Sequence, residues 1–367
     1  MKIAVLGLRS IGNNCSGGIE RHVQELSVRM AAEGHEVTVF CRGKYNDAGE
    51  EYKGVRLVNR TAIYSKHLEA VTHTAIAVPS TLVGYDVVHF HATGPSLLSW
   101  IPRLAMTPTI VTVHGLDYLR AKWGKAARAI LRAGAWTSAF CPSRTIVVSK
   151  VLREHYKKTY GRDTAHVPNG IEAPTLRTLD GLKRFGIDKG EYVLSLGRLV
   201  PEKGIHYLVE AFRGVDTSVK LVIVGGDSLS GGYLQELKVI AGDDPRIVFT
   251  GPLYGADKDE AFSNARMFAI PSDLEGMPIA MLEAMSYGCP TLSSDIPECM
   301  EVFDGREGEV GFSFTQGNIE SLKAQLEMML GLNLSPIGAA GRDYVLDNYN
   351  WDAITEQTLS VYREACK

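Results

Sequence analysis

Short, almost unbroken apolar runs recur along the chain: KIAVLGL, HEVTVFC, YDVVHFHA, PTIVTVHG and TIVVS in the first half, then YVLSLGRL, VKLVIVGGD, RIVFTG and MFAIPS in the second. Runs of this length without polar alternation fit strands buried on both faces, the condition of a parallel sheet covered by helices. Between them lie stretches with helical spacing, from about Gly18 to Glu33 and near residues 67 to 83 and 95 to 105. In SKVLREHY, Ser149 is the expected N-cap. The alternation predicts two open α/β sheets of the Rossmann-like kind. With 367 residues the chain exceeds one ordinary core. The Asn169-Gly170 turn divides it into domains 1–175 and 176–350, with a linker running to about Leu182 and a last helix, 351–367.

Ligands of open α/β sheets meet the carboxyl ends of the strands. His89, His91 and His114 fall there, as do Gly197, Arg198 and Lys203 after YVLSL and Gly225-Gly226 after VKLVIV. His89 and His91 share one face of their strand, but no cysteine or carboxylate shares their spacing, so no metal site is expected. Asp257 and Asp259 read as an exposed helix start. The loop RSIGNNCSGGIERH has neither a dinucleotide nor a phosphate-loop motif; Gly17 and Gly18, at a helix start, still permit close approach of backbone to a ligand.

The stretch PSDLEGMPIAMLEAMSYGCPTLSSDIPE, 271–298, combines two carboxylates with a helix start. Pro278 suits the first helical position, and Gly288 and Pro290 close a helix of about ten residues. Glu275 then lies on the loop and Glu283 inside an apolar helix. An ionised carboxylate is costly there unless a cation or ligand hydroxyls meet it. A structural ion pair is the plain alternative. The free amides and dipole of the helix start favour an anion such as a diphosphate.

The pattern Pro-Ser, Glu-Gly, Leu-Glu-Ala-Met, Gly and Pro between 271 and 290 resembles the signature of retaining glycosyltransferases of family 4, and the resemblance runs through essentially the whole chain. It implies the GT-B fold: two Rossmann-like domains facing a central cleft, the first on the acceptor side, the second holding a nucleotide diphosphate sugar, and the last helix packing back on the first. It implies that Glu283 meets ribose hydroxyls and Glu275 donor-sugar hydroxyls. Arg198 and Lys203, beside Gly197, would neutralise the diphosphate, which Gly17 and Gly18 and the loop Asp295–Glu298 border. Gly276, Met277 and Pro278 complete the donor loop. VTVHGLD is similar to the family's catalytic loop, so His114 is expected on the donor sugar or transition state and Asp117 on the acceptor side. Met277 and Pro278 depart from the Phe and Gly common there and leave the donor open, with a UDP-sugar ahead of GDP-mannose.

The implied activity is hexosyl transfer with retention to a glycan or lipid-linked acceptor in polysaccharide, lipopolysaccharide or glycolipid synthesis. The donor is the co-substrate and neither a metal nor another cofactor is expected. A GT-B epimerase and a non-catalytic nucleotide-sugar-binding subunit are the competing readings.

Charge adds one feature. Residues 1–170 carry 22 Lys+Arg against 12 Asp+Glu, and the remaining residues 17 (39 − 22) against 30 (42 − 12), giving +10 and −13. The basic excess concentrates between 120 and 162, where Arg120, Lys125, Arg128 and Arg132 recur beside Trp123, Ile130 and Trp136. Either a solvated face or a segment resting on an anionic membrane fits; no nucleic-acid motif accompanies it. No long apolar run exists and MKIAVLGLRS reads as a strand rather than a signal peptide, so a cytoplasmic protein, peripheral at most on the inner membrane face, is expected. The six cysteines show no paired spacing and read as reduced thiols.

Overall fold

The computed structural model describes residues 1–12, 17–65, 68–120, 123–226 and 232–367. Cys15 and Lys122, of the cysteine set and the basic segment, lie outside the described residues. The described residues form two compact units, Met1–Gly170 together with Trp351–Lys367, and Ile171–Asn350.

The first unit is built on β1 Lys2–Leu6, β2 Glu36–Arg42, β3 Glu51–Tyr52, β4 Val55–Arg60, β5 Val87–His91, β6 Thr109–Val113, β7 Arg144–Val147 and β8 Ala165–His166, in the spatial order β3-β4-β2-β1-β5-β6-β7-β8. The second is built on β9 Tyr192–Leu196, β10 Lys220–Val224, β11 Ile247–Gly251, β12 Met267–Ile270, β13 Thr291–Ser294 and β14 Phe312–Phe314, in the order β11-β10-β9-β12-β13-β14. Every recorded pairing is parallel except β3 with β4. All five residues of β5 and of β6 are buried, the polar His89, His91, Thr109 and Thr112 among them, as befits strands of a sheet covered on both faces by helices. Setting aside the antiparallel β3 at its edge, each order reverses once, between β1 and β5 and between β9 and β12; in such sheets a crevice opens at the carboxyl ends at that point.

In the first core, Ile3, Val5, Val39 and Ile110 meet Val23 and Leu26 of the helix Gly18–Ala32. The last helix, Trp351–Ala365, joins the same core through Trp351, Ile354, Leu359 and Tyr362. Gly170 admits this helix: a Cβ there would stand 2.5 Å from the Trp351 ring. Ile171 belongs to the second unit, its amide donating to the Tyr349 carbonyl at 2.6 Å and its backbone bridging Asn350. The boundary therefore falls at 170/171, and residues 171–175, assigned from sequence to the first domain, belong to the second.

Local readings fare unevenly. Ser149 caps the helix Lys150–Tyr160, its Oγ accepting from the Leu152 amide at 3.2 Å, and Gly161 ends it in the left-handed region. The helices expected near 67–83 and 95–105 are shorter, Glu69–Ala77, Thr93–Ser96 and Trp100–Leu104. Asp257 and Asp259 are not simply an exposed helix start, for they pair with Arg184 at 2.6 Å and Arg177 at 3.3 Å. The five described cysteines are free thiols. No described helix is long and apolar enough to cross a membrane.

Candidate functional site

In the second unit the reversal of strand order sets the loop after β9 beside the loop after β12. One backbone contact presses them together: a Cβ on Gly204 would lie 1.9 Å from the Pro271 carbonyl oxygen. A second holds the loop after β9 to the end of β10, where a Cβ on Gly225 would lie 1.9 Å from the Gly197 carbonyl oxygen. The Leu199 amide also donates to the Gly226 carbonyl at 3.0 Å, and the Asp273 amide to that of Glu202 at 2.9 Å. This packing carries Lys203 to Glu275: Nζ lies 2.5 Å from Oε1, which also accepts from Ser272 Oγ at 2.7 Å. The carboxylate side chain is 8% exposed and the ammonium 23%, so the pair is sheltered yet open on the lysine side. Arg198 stands exposed on the same loop. Burial raises the Glu298 carboxyl above its ordinary value, and the carboxylates of Glu275 and Glu301 add to the effect.

Pro278 departs from the expected position. Its ψ of 87° is not helical, so it is the N-cap, and the helix spans the eight residues Ile279–Ser286. Gly276 and Met277 form the turn into it, with Met277 buried. The first amides of this helix have no carbonyl one turn earlier, which leaves donors at its start. Glu283 is not an unpaired buried carboxylate: Lys258 Nζ reaches its Oε1 at 2.8 Å. The cation was one of the two partners its burial called for, and Lys258, on the helix Gly255–Asn264, carried no sequence signal for that role.

In the first unit Gly17 is the N-cap of the helix Gly18–Ala32 at φ +124°, and a Cβ there would lie 2.5 Å from Glu20 Oε2. The carboxyl ends of β5 and β6 bring His91 Nδ1 and His114 Nε2 to 2.9 Å. His22, from the helix behind the Gly-Gly loop, joins them with ring centroids 4.8 Å from His114 and 5.7 Å from His91. Its Nδ1 lies 2.9 Å from Asn169 Oδ1, so the Asn-Gly turn read at the domain boundary also holds a histidine. His89 is occupied elsewhere, by the Tyr362 hydroxyl at 2.6 Å and Thr112 Oγ1 at 2.7 Å. Of the three histidines read at the strand ends, His91 and His114 face each other, and His22 rather than His89 joins them. Burial lowers His22 to about 4 and holds His91 and His114 well below the ordinary imidazole value. Asp117 accepts from Thr93 Oγ1 at 3.2 Å and pairs with Arg120 at 3.2 Å. Ala92, directly after His91, sits at φ +72°, ψ 159°, a region that costs a residue other than glycine about 1–3 kcal/mol.

The second unit thus offers two cations, sheltered carboxylates and free helix amides on one edge: groups for an anion and for hydroxyls. The first offers neutral imidazoles and a carboxylate on its own edge.

Two family models match, Glycosyltransferase Family 4 over residues 16–173 and Glycosyl transferases group 1 over residues 182–336. The chain is 27% identical to the phosphatidyl-myo-inositol mannosyltransferase of Mycobacterium leprae, over 94% of this chain and 92% of that one. It is 29% identical to the GDP-mannose-dependent alpha-(1-6)-phosphatidylinositol monomannoside mannosyltransferase of Mycolicibacterium smegmatis, over 95% and 96%. Among solved structures, Anabaena HepE in complex with UDP and glucose superposes with a TM-score of 0.81 at 18% identity, covering 99% of this chain and 100% of that one. With one model on each of its two parallel-sheet α/β units, the chain belongs to the family 4, group 1 glycosyltransferases and has their GT-B fold.

Proposed function

We propose that the chain moves a hexose from a nucleoside diphosphate sugar to a glycan or lipid-linked acceptor with retention of anomeric configuration. The observation that carries this reading is the Lys203–Glu275 pair at the reversal of the second sheet, with Arg198 on the same loop. Arg198 and Lys203 take the diphosphate as charge develops on the leaving oxygen, a guanidinium fork and a point-charge ammonium with different geometries. Glu275 accepts from donor-sugar hydroxyls, Glu283 from the ribose, and the segment Gly197, Gly276, Met277 and Pro278 shapes the pocket. His114 meets the donor sugar, Gly17 and Gly18 border the diphosphate, and Asp117 lies on the acceptor side.

In the reaction the bond from the anomeric carbon to the phosphate oxygen breaks as the acceptor oxygen bonds to the same face of that carbon. The acceptor proton passes to the departing phosphate oxygen. No protein nucleophile is used, and the two fixed cations do the work of a divalent metal on the diphosphate.

A UDP-sugar is the favoured donor. GDP-mannose is the second reading, favoured by the relative at 29% identity named for that donor. Both relatives are named for lipid acceptors, and the helix Lys125–Phe140 presents exposed Ile130, Trp136 and Phe140 beside its basic residues. That combination suits an interfacial helix on anionic lipid.

Incubation with labelled UDP-hexoses and GDP-mannose, with and without membrane extract, tests the reading. Acceptor-dependent transfer is expected. Conversion without acceptor would make the protein an epimerase, and donor binding without turnover a binding subunit.

Arg198→Ala and Lys203→Ala should each lower kcat by about a hundredfold or more, with unchanged circular dichroism. Turnover should persist in EDTA. Wild-type turnover in either variant would remove the clamp, and activity lost in EDTA but restored by Mn²⁺ or Mg²⁺ would remove the metal-free mechanism.

Glu283→Ala should weaken nucleotide binding in calorimetry. It should also lower thermal stability, because Lys258 loses its partner in a sheltered position. Unchanged nucleotide affinity with lowered stability would leave Glu283 a purely structural ion pair.

The chain should co-sediment with anionic vesicles at low salt and release at high salt, since surface attraction of about 1 kcal/mol per basic residue is screened. Lys125→Glu with Arg128→Glu should reduce sedimentation and transfer to a lipid acceptor while sparing nucleotide binding. A wild type that ignores such vesicles would make the segment a solvated face and a soluble acceptor the better assignment.

A further inference from the structure

Three imidazoles converge in the first unit from three separate elements: His22 from the helix Gly18–Ala32, His91 from the end of β5 and His114 from the residue after β6. One ring nitrogen of each lies within 4.8 Å of the others. Imidazole nitrogens bind zinc at about 2.0–2.1 Å, which in a tetrahedral site sets them roughly 3.3 Å apart. His91 Nδ1 and His114 Nε2, hydrogen-bonded at 2.9 Å, have to part slightly, and the proton between them has to move to the other nitrogen of its ring. The remaining contraction is about an ångström or so of side-chain movement, within reach of ring rotations.

Convergence alone would describe packed core histidines. Two further observations point to a ligand. An amide oxygen only accepts, so Asn169 Oδ1 at 2.9 Å places the His22 proton on Nδ1 and leaves Nε2 as its free lone pair. That is how an outer hydrogen bond fixes the tautomer of a metal-ligating histidine. Lastly His89, whose ring centroid is 4.1 Å from that of His91, has both nitrogens bonded to Tyr362 and Thr112, so the convergent set is three rather than four.

We propose that His22, His91 and His114 form a binding site for one late first-row divalent ion of the zinc class. Three nitrogen donors without a carboxylate select zinc, nickel or copper over magnesium or calcium. His114, partly exposed where His22 and His91 are buried, marks the side from which the ion enters and the place for a fourth, exchangeable ligand. The ion would compete with the donor sugar for His114. Binding is therefore read without donor or acceptor, and its result stands apart from whichever transfer reaction the chain performs.

The untagged full-length chain, stripped with EDTA and freed of it, is titrated with Co²⁺ by visible spectroscopy and with Zn²⁺ by calorimetry. One ion per chain is expected, with the strong ligand-field absorption of four-coordinate cobalt and a thermal midpoint that rises with zinc concentration. His22→Gln and His91→Gln should each weaken binding at least about tenfold, and Asn169→Ala about 10- to 100-fold. His155→Gln, whose imidazole bonds Tyr118 instead, should leave it unchanged. The absence of saturable binding by the wild type overturns the proposal whether or not any variant folds. Undiminished binding by folded His22→Gln and His91→Gln overturns it equally, as does an equal loss in His155→Gln.

Discussion

Backbone pressed on backbone where the second sheet reverses its strand order is the constraint on which the candidate site of the second unit rests. Gly204 has no room for a Cβ, since the carbonyl of Pro271 occupies the space, and this brings the loop after β9 onto the loop after β12. Only because these loops close on each other does Lys203 meet Glu275, 72 residues away. Gly204 carries a second duty, standing at φ +64° between the short turn Pro201–Lys203 and the helix Ile205–Arg213. One residue thus orients a cation and starts a helix. The site follows from the sheet order, and this glycine lets the backbone reach it.

How much of this could be read beforehand divides along sequence distance. The strands were legible because a run buried on both faces carries its signature in neighbouring residues, and Ser149 was legible because a cap acts across three positions. Pro278 misled through the same local logic. Proline tolerates the first helical turn, but its actual ψ places it one step outside. The partners that complete the site were hidden for the opposite reason. Lys258 reaches Glu283 across 25 residues, and Asn169 reaches His22 across 147; neither separation matches any local period. The sequence showed that Glu283 needed a partner, and only the packing of two helices names it. The histidines went the same way: strand alternation linked His89 with His91, while the fold linked His91 with a helix residue from another part of the unit.

The edge of the first sheet is costly to form. Ala92 occupies backbone space suited to glycine, and Gly7 is pressed so near His91 that a Cβ would stand 2.3 Å from its carbonyl oxygen. Several imidazoles there are kept from protonating by burial. Strain and desolvation of this kind persist only where surrounding packing over-determines them, and they gather at sites that act. The fully buried strands β5 and β6 and the closing helix Trp351–Ala365 supply that packing.

The return of that helix makes the second unit an insertion within the first. On the ribosome, Ile171–Asn350 is available in full while the first unit still lacks Trp351, Ile354, Leu359 and Tyr362 from its core. The half synthesised first is therefore completed last, and until then it exposes the apolar seat around Gly170 that Trp351 will cover. Domains generally fold as units in order of emergence; here the order inverts, and the nascent chain carries an open hydrophobic seat for as long as the intervening 180 residues (350 − 170) take to be made.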